Sequence, residues 1–243
     1  MSKYKKLIVA LLVLIMGLNL TACASKPDTF TYELTTKNWN VEGITVKYPL
    51  FVNTNNQDKA DILNDLIMDD MGAVIEGITT DLPDAKGLTI DALYDYSEVK
   101  NALLSICYQG TYFSEGGAYP VNFYHTITLD MDKGERVGLS DLFTIDNNFA
   151  EMFKMGSYVA YGEDLNLEES GVNVGDTISE QYTDEELITL FSDPKANYFL
   201  QGESIILSIG VPHAIGDHLE MAILYDGLQG NIKKEHHYWS NQK

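Results

Sequence analysis

His213, Asp217, His218 and Glu220 fall within one short stretch and are the side chains of this chain best suited to chemistry. Imidazoles and carboxylates this close could hold a divalent cation or relay a proton, and a zinc site would need three of them converging on one point. Along an extended segment side chains alternate, so Asp217 and His218 face opposite ways. That favours turn or surface histidines, with His213, Asp217 and His218 kept as candidate metal ligands. His236 and His237 repeat the pattern more faintly. Nucleophile motifs are missing: there is no Gly-x-Ser-x-Gly, no His-Glu-x-x-His and no phosphate loop, and Ser105 sits in an apolar run with no histidine nearby in sequence. A non-catalytic protein without a cofactor is expected, with a metal-dependent hydrolase or deacetylase-type enzyme centred on His213 and His218 as the alternative.

Charge is the second chemical feature. Sixteen basic and 36 acidic side chains give a formal charge of −20. Such a field disfavours nucleic acid and anionic polymers, while it attracts cationic proteins and divalent ions. Between Met155 and Pro194 the chain has no lysine or arginine but ten acids. Asp164, Asn166 and Glu168 imitate the start of a calcium loop, yet Glu169 stands where that loop needs glycine and Gly175 where it needs glutamate. The segment reads either as a solvated acidic insertion or as a docking patch for a basic partner. For the docking patch Glu163, Asp164, Glu168 and Glu169 are the candidate contacts.

Cys23 carries a different chemistry. Lys3, Lys5 and Lys6 precede an apolar run from Leu7 to Leu18, too short to span a bilayer, and Leu20-Thr21-Ala22-Cys23 closes it. This resembles a bacterial lipoprotein signal, which implies cleavage before Cys23 and diacylglycerol on its sulfur. Each buried acyl CH₂ contributes about 0.8 kcal/mol, so two or three chains suffice as an anchor. Loss of residues 1–22 removes three lysines and no acid, which moves the formal charge from −20 to −23. The body is then expected outside the cytoplasm, anchored to the cell membrane or outer membrane. Only Cys107 remains to it, within the apolar run Ala102 to Tyr108, as a buried inert thiol with no disulfide partner.

The elements that must position these groups follow from periodicity. Phe30 to Thr36 and Trp39 to Tyr48 read as strands, the second stopped by Pro49. From Gln57 to Gly77 the apolar residues Leu63, Leu66, Ile67, Met71, Val74, Ile75 and Ile78 recur at helical steps, with Asp58, Asp61, Asp65, Asp69 and Asp70 largely opposite. Strands follow at Leu93 to Tyr96, Leu103 to Phe113 and Val121 to Met131, the last turning at Asp132-Lys133-Gly134. Asn148 to Tyr161 has helical spacing, and Thr183 with Glu186 forms a capping box for a helix through Phe191. Tyr198 to Leu200 and Ser204 to Ile209 form a hairpin, His218 to Tyr225 a last strand, and residues 231–243 a loose polar tail. Hairpins interrupted by a few helices indicate an α+β fold rather than a βαβ sheet.

Gly116-Gly117-Ala118-Tyr119-Pro120, Leu139-Ser140-Asp141-Leu142-Phe143, Asn197-Tyr198-Phe199-Leu200 and Pro212-His213-Ala214-Ile215-Gly216 together resemble the C-terminal domain of the RsiV-like family, a domain of unknown function. Tyr48-Pro49 and the helix around Asn64 resemble the partner domain found in RsiV and in the peptidoglycan deacetylase PdaC. The likeness covers about residues 40–226. It implies two small α+β modules, each an antiparallel sheet with one or two packed helices, at 30–115 and 116–230, after a signal at 1–22 and a tether at 23–29. It also implies an envelope partner, either a lysozyme-like cationic protein or cell-wall glycan; Tyr119 is a candidate contact on its own chemistry, since an exposed tyrosine can stack on a sugar ring. Where this chain has Tyr119 the family often has histidine, and where it has His213 the family often has tyrosine, so no role carries over on either side chain. With only six residues before the apolar run, an anti-sigma role is not expected.

Overall fold

In the computed structural model of the chain the described residues are 29–41, 43–82, 86–99, 102–160, 167–169, 171–234 and 237–239. The expected signal, the lipidation site Cys23, and the docking candidates Glu163 and Asp164 lie outside them. Among the described residues no helix is long and apolar enough to cross a membrane.

Two sheets carry the fold, which is α+β as the hairpin pattern implies. The first takes β1 (Glu33–Val41), β2 (Ile44–Val52), β3 (Lys86–Val99), β4 (Leu103–Glu115), β5 (Val121–Asp130) and β6 (Glu135–Arg136) in chain order. The second has the order β7 (Ser157–Val159), β10 (His218–Leu224), β9 (Ser204–Gly210), β8 (Tyr198–Gln201). The helices are α1 (Gln57–Asp81), α2 (Leu139–Leu142), α3 (Asn147–Lys154), α4 (Val174–Gln181) and α5 (Asp184–Ser192), with a 3₁₀ turn at His213–Ile215 and another at His237–Trp239.

Neighbouring strands are antiparallel except β2 and β3, which run parallel where Ile44 to Val46 face Ile90 to Ala92. The sheet is thus mixed where an antiparallel one was expected. The cause is α1, because a helical crossover brings the chain back to start a parallel strand. β4 and β5 pair from Leu103↔Asp130 to Tyr112↔Val121, so the first sheet continues past the boundary expected between residues 115 and 116.

The first hairpin closes at the Val41↔Ile44 pair, later in the chain than expected, with Gly43 at φ 86°. Pro49 sits inside β2 opposite Thr36 rather than ending the strand. Counting from the Val41↔Ile44 pair at the turn, odd residues of β2 direct their backbone groups away from β1, so the missing N–H of Pro49 costs that ladder nothing. Its other side has no strand beyond Val46, and there Asn64 of α1 takes over. Its Oδ1 accepts from the Phe51 amide at 2.8 Å and its Nδ2 donates to the Phe51 carbonyl at 3.1 Å.

α1 starts where Asn56 accepts from the Lys59 amide, an N-cap bond. It buries Leu63, Ile67, Met71 and Ile75, while Leu66, Val74 and Ile78 flank this stripe half-buried. Asp70 is not on the solvent side as the acidic face suggested; its carboxylate is buried against β5 and β6.

The second sheet lies between helices and the first sheet. On one face Leu207, Ile209, Leu219 and Met221 pack with the helical residues Phe149, Phe153 and Phe191, whose rings meet edge to face. On the other, Phe199 and Ile206 meet Cys107 and Tyr124 of the first sheet. α3 ends at Lys154, short of the Tyr161 expected, because residues 157–159 leave it to pair with β10. Gly156 allows that passage: a Cβ there would lie 2.9 Å from the Ala222 carbonyl oxygen.

The described residues of 231–243 are packed rather than a loose polar tail. Asn231, Ile232, Tyr238 and Trp239 are buried. The Trp239 ring packs against Phe143 and Tyr225, and the Tyr238 hydroxyl donates to Asp130.

Candidate functional site

The outer edge of β5 determines what Asp217 does. Even-numbered residues of β5 point their backbone groups away from β4, and side chains from elsewhere meet them in turn. The Asn122 amide donates to Asp217 Oδ2 at 2.8 Å, Asn197 accepts from the Thr126 amide at 3.0 Å and donates to the Tyr124 carbonyl at 3.2 Å, and Arg136 donates to the Thr126 carbonyl at 3.2 Å. Asp217 is therefore an edge cap that ties the first sheet to the start of β10. It holds φ 71°, directly after Gly216 at φ 115°.

The four residues that open the sequence reading form two separate pairs. His213 Nδ1 lies 2.9 Å from Asp217 Oδ1, on the surface. His218 Nδ1 lies 2.8 Å from Glu220 Oε1, with side-chain exposures of 6% and 3%. The same Glu220 oxygen accepts from Ser208 Oγ at 2.5 Å. A nucleophilic triad needs the imidazole between hydroxyl and acid. Here the carboxylate stands between them, which is not the order of such a triad. Among the described residues no three His, Cys, Asp or Glu side chains converge to hold a metal.

Tyr119 lies flat on His213, with ring centroids 3.5 Å apart and planes 3° apart. Tyr119 and His213, 94 positions apart in the chain, are thus ring partners. Spacing in the sequence does not link them, since the contact joins the β4–β5 loop to the segment after β9.

Glu168 and Glu169 are exposed on the turn at 167–169. Downstream, the capping box of α5 is present: Thr183 Oγ1 accepts from the Glu186 amide, and the Glu186 carboxylate accepts from the Thr183 amide at 2.8 Å. That amide, with the Thr183 hydroxyl, holds the Glu186 carboxyl below its usual range. Between α5 and β9 opens a cleft of about 550 Å³. Leu190, Ala196 and Ile209 supply apolar lining, and Glu185, Glu186 and Asp193 bring acid to its α5 side. Tyr182 closes one end by donating to the Gly210 carbonyl at 2.6 Å.

One buried ionic cluster was not legible in the sequence. Asp70 Oδ2 lies 2.5 Å from His125 Nε2, and Arg136 donates to Asp70 Oδ1. Burial pushes the Asp70 carboxyl up, but the hydrogen bond and charge of His125, then those of Arg136, outweigh it and leave the group below its ordinary value. Beside it burial raises the Tyr108 hydroxyl far above the normal phenol range, with the Asp70 charge adding to the effect. Across the sheet, burial pushes the Cys107 thiol up to about 11, against a lowering contribution from the Asp95 backbone. Cys107 is protonated at neutral pH and poor as a nucleophile.

No protein-family model matches the chain, and no curated protein does. Among solved structures it is similar to a DUF3298 family protein from Pseudomonas aeruginosa PAO1, with 14% identity over 84% of this chain and 94% of that one and a TM-score of 0.46. It is also similar to a DUF3298 family member from Bacteroides fragilis NCTC 9343, with 12% identity over 84% and 92% of the two chains and a TM-score of 0.49.

Proposed function

We propose that the chain is a non-catalytic extracytoplasmic lipoprotein, anchored through Cys23, that binds a cationic envelope protein of lysozyme type through its acidic face. The observation that carries this is the cleft between α5 and β9. The stretch from Met155 to Pro194 has ten acids and no base, and the fold sets Glu185, Glu186 and Asp193 of that stretch beside an apolar lining. Field and lining are complementary in action. Long-range attraction speeds the encounter, while lifetime depends on the apolar contact.

Binding of hen egg-white lysozyme to the whole chain, followed by surface plasmon resonance, tests the proposal. The on-rate should fall steeply with added salt, and neutralising Glu163, Asp164, Glu168 and Glu169 together should slow association more than it speeds dissociation. Leu190→Ser should act in the opposite sense, through the off-rate. No binding, or binding indifferent to salt, refutes the electrostatic reading.

A further inference from the structure

Tyr119 is 48% exposed, yet its ring is fixed from behind. One face lies on His213 at 3.5 Å. The imidazole is oriented by Asp217, whose oxygens stand 2.9 and 3.1 Å from Nδ1. Asp217 is in turn held by the Asn122 amide at 2.8 Å, in a left-handed backbone conformation at φ 71° that few residues adopt. Each support is itself supported. A half-exposed ring gains little stability from being locked in the free protein, whereas a ring already in place loses less entropy when a flat ligand settles on it.

Asp217 also lines an open groove of about 560 Å³ with Gln181, Tyr182, Gly210, Val211 and Pro212. We propose that Tyr119 is the stacking platform of a glycan-binding site, and that its ligand is a chain of uncharged hexopyranose units continuing into this groove. A pyranose has an apolar C–H face that suits an aromatic ring and a rim of hydroxyls that both donate and accept. The groove answers with the Gln181 amide, the Tyr182 phenol and backbone groups beside the apolar Val211 and Pro212. An anionic ligand would meet a body of formal charge −20. A cationic ligand would need a free carboxylate, and both oxygens of Asp217 are already taken up by His213 and Asn122. The groove adjoins the α5–β9 cleft and shares Tyr182 and Gly210 with it, but Tyr119, His213 and Asp217 line no part of that cleft, so their substitution tests this site without touching the protein-binding proposal.

Titration calorimetry of the whole chain with chitohexaose and with cellohexaose is the test, with tetramethylammonium chloride and polygalacturonate as charged comparisons. At least one neutral oligosaccharide should bind saturably. Tyr119→Ala should weaken it about tenfold, the equivalent of one aromatic stack, and Tyr119→Phe should stay within about threefold of the parent. His213→Ala should also weaken binding although it retains Tyr119, because the ring loses the support it lies on. Because Tyr119 is exposed, the circular dichroism spectrum of Tyr119→Ala should match the parent, which separates lost binding from lost fold. The proposal is overturned if neither neutral sugar binds, if Tyr119→Ala binds as the parent does, or if only a charged compound binds.

Discussion

Asn64 stands in for a strand at Phe51, giving its side-chain amide to both the N–H and the C=O of that residue. β2 is paired along its whole length by β1 but by β3 only at Ile44 to Val46, so its free edge next to α1 would otherwise be left half-buried and unpaired. Asn197 acts likewise on β5, bonding Tyr124 and Thr126. An asparagine side chain carries the same donor and acceptor as a peptide unit, which makes it a natural edge cap.

Replacing Asn64 with alanine should therefore cost about 1–3 kcal/mol, the penalty for leaving buried backbone groups without partners. Asn64→Asp keeps the acceptor and loses the donor, and should fall between parent and alanine. Urea unfolding reads both, and a loss within error for Asn64→Ala would mean that water satisfies Phe51 equally well.

The Asp70 cluster makes a prediction about acid. The folded carboxyl is held below its unfolded value, so its stabilising contribution is complete above about pH 4 and fades as pH falls through the folded pKa. Asp70→Asn should lower stability at neutral pH and also flatten the dependence of stability on pH between about 2 and 5. Arg136→Met should cost about 3 kcal/mol by leaving the buried carboxylate short of charge. Equal slopes for parent and Asp70→Asn in denaturant titrations across that range would remove Asp70 as the titrating group.

The contrast between what the sequence made visible and what it hid is physical. The α1 stripe, the Gly134 turn at φ 69°, the Thr183 capping box and the β8–β9 hairpin all rest on residues close in sequence, and each is present. Asp70 with His125, Asp217 with Asn122 and Tyr119 with His213 join residues 55, 95 and 94 positions apart, where spacing carries no signal. The tail misled for another reason. Its polar composition suggests solvation, while the apolar Ile232, Tyr238 and Trp239 within it are buried.

Docking of the C-terminus should matter for stability. Trp239 is 6% exposed and meets Phe143 and Tyr225, so Trp239→Ala should cost about 3–5 kcal/mol, the range for truncating a large buried aromatic. Tyr238→Phe removes the hydroxyl that donates to Asp130, a contact that helps hold that carboxyl low against the upward push of burial, and should cost less. Thermal unfolding of the two variants checks the order. If both match the parent, the last turn contributes nothing to the core.

The proposed anchoring by Cys23 rests on three coincident features of the sequence: basic Lys3, Lys5 and Lys6, an apolar run of limited length, and Leu-Thr-Ala before the cysteine. The proposed acylation on sulfur would change the physics, because a cleaved chain of formal charge −23 would be repelled by an anionic bilayer. Cys23→Ser should block acylation and with it lipoprotein-type cleavage, leaving an unprocessed precursor or a body freed into the medium. Metabolic labelling with palmitate should mark the parent and not the variant, and mass spectrometry of the parent should find a diacylglyceryl group on an N-terminal cysteine. A parent chain that takes up no label, or a Cys23→Ser body that stays in the membrane fraction after its leader is removed, would show that something other than an acyl anchor holds it there.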